Sequence, residues 1–233
     1  MTPEPAHMAA LTGGVPVSGL ASTVDALAVA LLATGLISVL ARRLETAIWL
    51  LVAQGVLLAA TAGAIGVATG ALHVYAAAAL TVAIKVVVIP AILFRVLRAV
   101  RIRREVGLAL STRAALLIAL AGVLVAYRAA GALALPGAVP SQHALPVAVS
   151  LMLIGLGLMI GRKKALSQIA GLIIMENGVY LAALVATFGL PLAVELGVFF
   201  DLLIGVLLLG VFAYRINQTF DTLDTDRLQA LRG

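Results

Sequence analysis

The chain has 233 residues, of which 63% are hydrophobic and only 11% charged, and its mean hydropathy is +1.17. A soluble domain carries roughly a quarter charged residues, so this composition excludes one and points to an all-α integral membrane protein. Sixteen Lys and Arg outweigh ten Asp and Glu to give a net charge of +6, and the absence of cysteine excludes a disulfide or a thiolate-held iron–sulfur cluster within the chain.

Residues 1–22 lack the basic start and apolar block of a signal peptide and read as a short exposed leader. Seven apolar stretches follow, at 23–41, 46–69, 73–97, 113–131, 145–161, 166–189 and 192–214. Each is close to the ~20 residues that a helix needs to cross a bilayer. Arg42 and Arg43 follow the first stretch, and Arg95, Arg98, Arg101, Arg103, Arg104 and Arg113 surround the connection after the third. Arg162, Lys163 and Lys164 follow the fifth, and Arg215, Arg227 and Arg232 lie in the tail, 215–233. The intervening connections carry almost no basic residues, Arg128 being the exception. Basic residues beside short loops stay in the cytoplasm, so the N terminus is expected outside and the C terminus inside. The arginine run is then a topology signal and not a nucleic-acid footprint.

Three charges fall too deep to reach either surface. Glu176, in GLIIMENGVYLAAL, lies ~16 Å into a hydrocarbon core ~30 Å thick. Lys85, in VAIKVVVIP, and Asp201, in VFFDLLIGV, reach ~18 Å and ~14 Å by the same count. A charge at that depth costs at least ~2.5 to 3.5 kcal/mol on insertion scales. One explanation is structural, with Glu176, Asp201 and Lys85 pairing with each other or with partner subunits to lock helices. The other is a proton path, because a buried carboxylate without a cationic neighbour is pushed toward neutrality, where it loads and releases protons. Gln54 and Asn177 are neutral polar residues that could contribute to such a path or simply bond neighbouring helices. Glu195, nearer the outer end of its span, reads first as an interfacial anchor. Pro90 is expected to kink the helix beside Lys85 by removing a backbone hydrogen bond. The three histidines are scattered, so no metal site is expected.

The chain also repeats itself. LLATGLISVLARR at 31–43 lies over LMLIGLGLMIGRK at 151–163, QGVLLAA at 54–60 over NGVYLAA at 177–183, and VAIKVVVIPAIL at 82–93 over VFFDLLIGVLLL at 198–209. Gln54 thereby aligns with Asn177, and Lys85 with Asp201. The reading is two three-helix modules, 23–97 and 145–214, joined by a basic loop and a connecting helix at 98–144. Three spans plus one connecting span restore the starting side, so the copies run parallel.

The second module resembles the K subunit of respiratory complex I and the small C subunit of multisubunit sodium/proton antiporters. It shares a basic first loop and mid-membrane acids in its second and third spans. Asp201 takes the place of the K subunit's third-span glutamate, whereas Glu176 is displaced by about one helical turn from the second-span glutamate of the Gly-Leu-Glu-Ile-Met pattern. Over residues 25–233, with IKVVVIP and MENGVYLAAL, the chain resembles the component E family of hydrogenase-4-type complexes. These are group 4 nickel–iron hydrogenases and formate hydrogenlyases related to complex I. The resemblance implies a multi-pass component of the cell (plasma) membrane, set between a cluster-bearing cytoplasmic arm and antiporter-like subunits. It implies a proton path through Glu176, Asp201 and Lys85, with the [NiFe] centre and iron–sulfur clusters in partner subunits and no cofactor in this chain. Two alternatives stay open: a subunit of a cation/proton antiporter without a redox arm, and a non-conducting membrane scaffold.

Overall fold

The computed structural model describes residues 17–70, 72–100, 111–130, 141–163 and 165–187, together with Gly205, Val206 and Gly210. Its long elements are helices: α1 (Val17–Leu40), α2 (Leu44–Thr69), α3 (Leu72–Thr81), a π-helical segment (Val82–Val88), α4 (Ile89–Val100), α5 (Thr112–Ala130), α6 (Ala144–Gly161) and α7 (Ala165–Thr187). From α3 through the π segment to α4 the chain forms one continuous span, Val74–Arg98, so that among the described residues six helices are long and apolar enough to cross a membrane. That is the architecture of a multi-pass membrane protein. The six agree with the first six expected spans to within a few residues, except that α1 begins at Val17, inside the stretch read as leader. There the Ser22 and Thr23 hydroxyls bond back to the Gly19 carbonyl, which lets polar residues join a helix. The expected seventh span, 192–214, lies outside the described residues apart from Gly205, Val206 and Gly210. Of these, Val206 is buried and Gly210 lies against Val96 of α4.

Helix ends follow local chemistry. Gly70 adopts the left-handed conformation at φ 64° and donates its N–H to the Gly66 carbonyl at 2.8 Å, closing α2 as only a residue without Cβ does cheaply. Within the spans, Thr34, Ser38, Thr61, Thr81 and Ser150 donate their hydroxyls to carbonyls one turn back, so that none is left unbonded in an apolar setting.

Just before Pro90, where the sequence leads to an expected kink, the helix widens. Ile89 donates its N–H to the Ile84 carbonyl, five residues back, at the end of the π segment. Proline has no N–H, and its ring crowds the carbonyl four residues earlier; one wider turn accommodates both effects without breaking the span. The turn is placed at Lys85. Opposite it, Gly55 of α2 lets the two helices approach so closely that an added Cβ would lie 3.1 Å from the Lys85 Cβ.

The packing centres on α6 and α7. At Gly155 an added Cβ would sit 2.5 Å from the Gly171 carbonyl, and at Gly178 2.5 Å from the Ala148 carbonyl, so the two backbones touch. Helices α1 and α6 lie side by side and run in the same direction. At one end Arg162, following α6, donates to the Val39 and Ala41 carbonyls at the close of α1, 3.0 Å each. At the other, the Asp25 carboxylate in α1 accepts from Ser141 Oγ at 2.5 Å and from the His143 N–H at 2.9 Å, at the start of α6. A cation at a helix C terminus and an anion at a helix N terminus each complement the helix dipole.

Candidate functional site

Lys85 and Glu176 sit at matching depth. Lys85 is 11 residues from the start of its span, and Glu176 is 10 from the start of its own, Leu166–Ala186. Both therefore lie ~15 to 17 Å along the helix axis, at the middle of the bundle. Lys85 is 3% exposed, Glu176 6%, Asn177 1% and Gln54 0%.

The structure joins four of the six sequence-derived candidates in one network. Lys85 Nζ forms an ion pair with Glu176 Oε2 and donates to Asn177 Oδ1 at 2.7 Å. Asn177 Nδ2 donates in turn to Gln54 Oε1 at 2.9 Å. The direction is forced by the lysine, which has donors and no acceptor: Asn177 must present its oxygen, so its amide nitrogen faces Gln54. The Gln54 Nε2 donor at the far end of this row, and Glu176 Oε1 at the near end, are buried without a hydrogen-bond partner among the described residues. The remaining candidates, Asp201 and Glu195, lie outside the described residues.

Local sequence explains why these groups converge. Thr81 and Lys85 are four apart, as are Glu176 and Tyr180, which places each pair on one helix face. The Lys85 ammonium stands 5.3 Å from the centre of the Tyr180 ring, within cation–π range, and the Tyr180 and Thr81 hydroxyls share a 3.1 Å hydrogen bond. Sequence reading did not single out Thr81 and Tyr180; the four-residue spacing to each charge was the available signal. Nor did it single out Asp25, whose partners come from a segment more than a hundred residues away.

Chemically, the pair differs from an isolated buried acid. Glu176 has a cationic neighbour, because the π turn and the small Gly55 bring Lys85 against α7. The network contains two groups that can exchange a proton, Lys85 and Glu176, and two amides that can only orient and polarise. Among the described residues no three His, Cys, Asp or Glu gather as metal ligands.

Comparison with known proteins gives two kinds of relative. The chain is 31% identical over 210 residues to the uncharacterized protein Rv0085 of Mycobacterium tuberculosis, a match covering 90% of this chain and 96% of that protein. It is 35% identical over 99 residues to hydrogenase-4 component E of Escherichia coli K12 and to the component of the same name from Shigella flexneri. Those matches cover 42% of this chain and 46% of each relative, so the likeness extends over about half the length of component E. No family model matches the chain, and no solved structure does.

Proposed function

The chain belongs to the family of the mycobacterial protein Rv0085 and shares a stretch with hydrogenase-4 component E, and from that premise we propose that it is a membrane subunit of a hydrogenase-type redox complex. In this reading it contributes a buried charged element to proton translocation and braces antiporter-like neighbours, while a cluster-bearing cytoplasmic arm performs the redox chemistry. The observation that carries the reading is the Lys85–Glu176 pair at mid-span, with an unpartnered carboxylate oxygen on one side and an amide row on the other. Two spans far apart in sequence meet through groups able to exchange a proton, and movement of charge at either end alters the balance between them. Asn177 and Gln54 are positioning residues here: neither amide gains or loses a proton near neutral pH, and their bond holds the lysine against Glu176. Asp201 is the candidate for the next charged step along the same axis.

The direct ion pair also supports a second reading, a helix-locking role without proton movement. One set of variants separates the two. Glu176→Gln, which unlike a leucine keeps a side-chain oxygen to accept from Lys85, and Asp201→Asn are introduced into the assembled complex, and proton uptake by membrane vesicles is measured beside dye-linked hydrogenase activity. Proton-path function predicts intact assembly and dye-linked activity with a loss of coupled proton movement. Loss of assembly in step with proton movement would instead assign the pair to scaffolding. Co-purified partners decide the complex: recovery of antiporter-type subunits alone would move the function to ion exchange.

A further inference from the structure

The connections α1–α2 and α6–α7 meet at one end of the bundle, where Arg42, Arg43, Arg162 and Ser167 border a pocket of about 320 Å³. Ser167 is 7% exposed, and its hydroxyl makes no hydrogen bond among the described residues. It lies in the first turn of α7, where backbone N–H groups have no intrahelical acceptor. On the other side of Arg162 and Leu158, which border both spaces, a second groove of about 480 Å³ runs between α1, α5 and α6. Its walls include Val39, Ile118 and Leu153. Along α6 it extends from Gly161 to Leu153, eight residues, or ~12 Å toward the middle of the bundle. Gly157 leaves it open, since a Cβ added there would meet nothing within 4 Å. Helix α5 is the least buried of the six spans, so this groove opens beside a peripheral helix.

We propose that these two spaces form one binding site for an anionic phospholipid. The phosphate is held by Arg42, Arg43 and the Ser167 hydroxyl at the start of α7, and an acyl chain lies in the α1–α5–α6 groove. Charge selects the headgroup. The ionic side chains that line the two spaces are Arg42, Arg43 and Arg162, and Arg113, Lys163 and Glu45 directly follow the lining residues Thr112, Arg162 and Leu44 in sequence. Arg42 uses one of its donors on Thr112 Oγ1 at 3.3 Å, at the start of α5, which ties the mouth of the groove to the basic pocket. Depth selects a lipid over a soluble anion, because the apolar groove continues below the basic rim for the better part of a leaflet. The ligand would strap the peripheral α5 to α1 and α6.

The test is native mass spectrometry of the full chain in mild detergent. It is loaded with phosphatidylglycerol or with phosphatidylcholine of the same acyl chains. The expected result is preferential retention of one phosphatidylglycerol. The Arg42→Gln/Arg43→Gln double variant should reduce retention roughly tenfold or more. Gly157→Leu, which fills the groove and leaves the arginines in place, should reduce it as well, and excess inorganic phosphate should not displace the lipid. Should Gly157→Leu fail to fold, Ile118→Trp serves as the groove-filling variant, since Ile118 is largely exposed. Equal retention of the two lipids, retention unchanged by groove filling, or displacement by phosphate would each overturn the proposal.

Discussion

Replacing Lys85 with methionine keeps an unbranched side chain of similar length and deletes its charge. Lys85 and Glu176 are both more than nine-tenths buried, so the substitution leaves the Glu176 carboxyl in the bundle without its cation. Breaking a buried pair in this way costs about 3 to 5 kcal/mol, or two to four orders of magnitude in the folding equilibrium. The Asn177 oxygen also loses its donor, which adds about 1 to 3 kcal/mol. Glu176→Leu should be comparably costly, since it strands the ammonium. The double variant Lys85→Met/Glu176→Leu removes both charges together, and replacing a buried pair by apolar residues ranges from neutral to about 4 kcal/mol stabilising. Its stability should therefore lie close to wild type, with a coupling energy of at least about 3 kcal/mol between the two sites. The assay is SDS-induced unfolding of the purified protein, followed by circular dichroism, on all four members of the cycle. Strictly additive losses would refute the argument, because they would mean that the two groups do not compensate each other in the folded protein. The double variant also probes function: a stable, assembled complex that no longer moves protons would show that the charges are kept for transport and not for folding.

Two further outcomes follow from the geometry. Gly155→Ala and Gly178→Ala each place a methyl group 2.5 Å from a backbone carbonyl of the facing helix, and should cost about 1 to 3 kcal/mol or more in the same unfolding assay. Gly157→Ala, on the same helix but with open space around it, should change stability by less than about 1 kcal/mol and serves as the control. Orientation can be read with single cysteines, because the chain has none of its own. A membrane-impermeant maleimide should label Leu72→Cys, which is 82% exposed, in intact cells, and should label Lys163→Cys only after permeabilisation; the reverse pattern would invert the topology expected from the basic loops.

The sequence by itself determined the solvent, the six spans that the structure describes and several of the polar residues buried within them. Apolar length sets a membrane helix nearly alone, since every backbone polar group must be satisfied inside the segment. A charge at mid-span is conspicuous because no surface is within reach of its side chain. Thus Lys85, Glu176, Gln54 and Asn177 were legible one by one. Their partnership was not. Hydropathy fixes depth along a helix but says little about which helices become neighbours, and the contact between Lys85 and Glu176 joins spans 91 residues apart. It depends on a wide turn before Pro90, on close approach over Gly55 and on the touching backbones of α6 and α7 at Gly155 and Gly178. The roles of Asp25 and Arg162, each holding the other helix's end, likewise arise only once α1 and α6 stand side by side. Depth is a one-dimensional property written along the chain, whereas neighbourhood is set by how small residues let helices pack, and the ion pair exists because both coincide at one point.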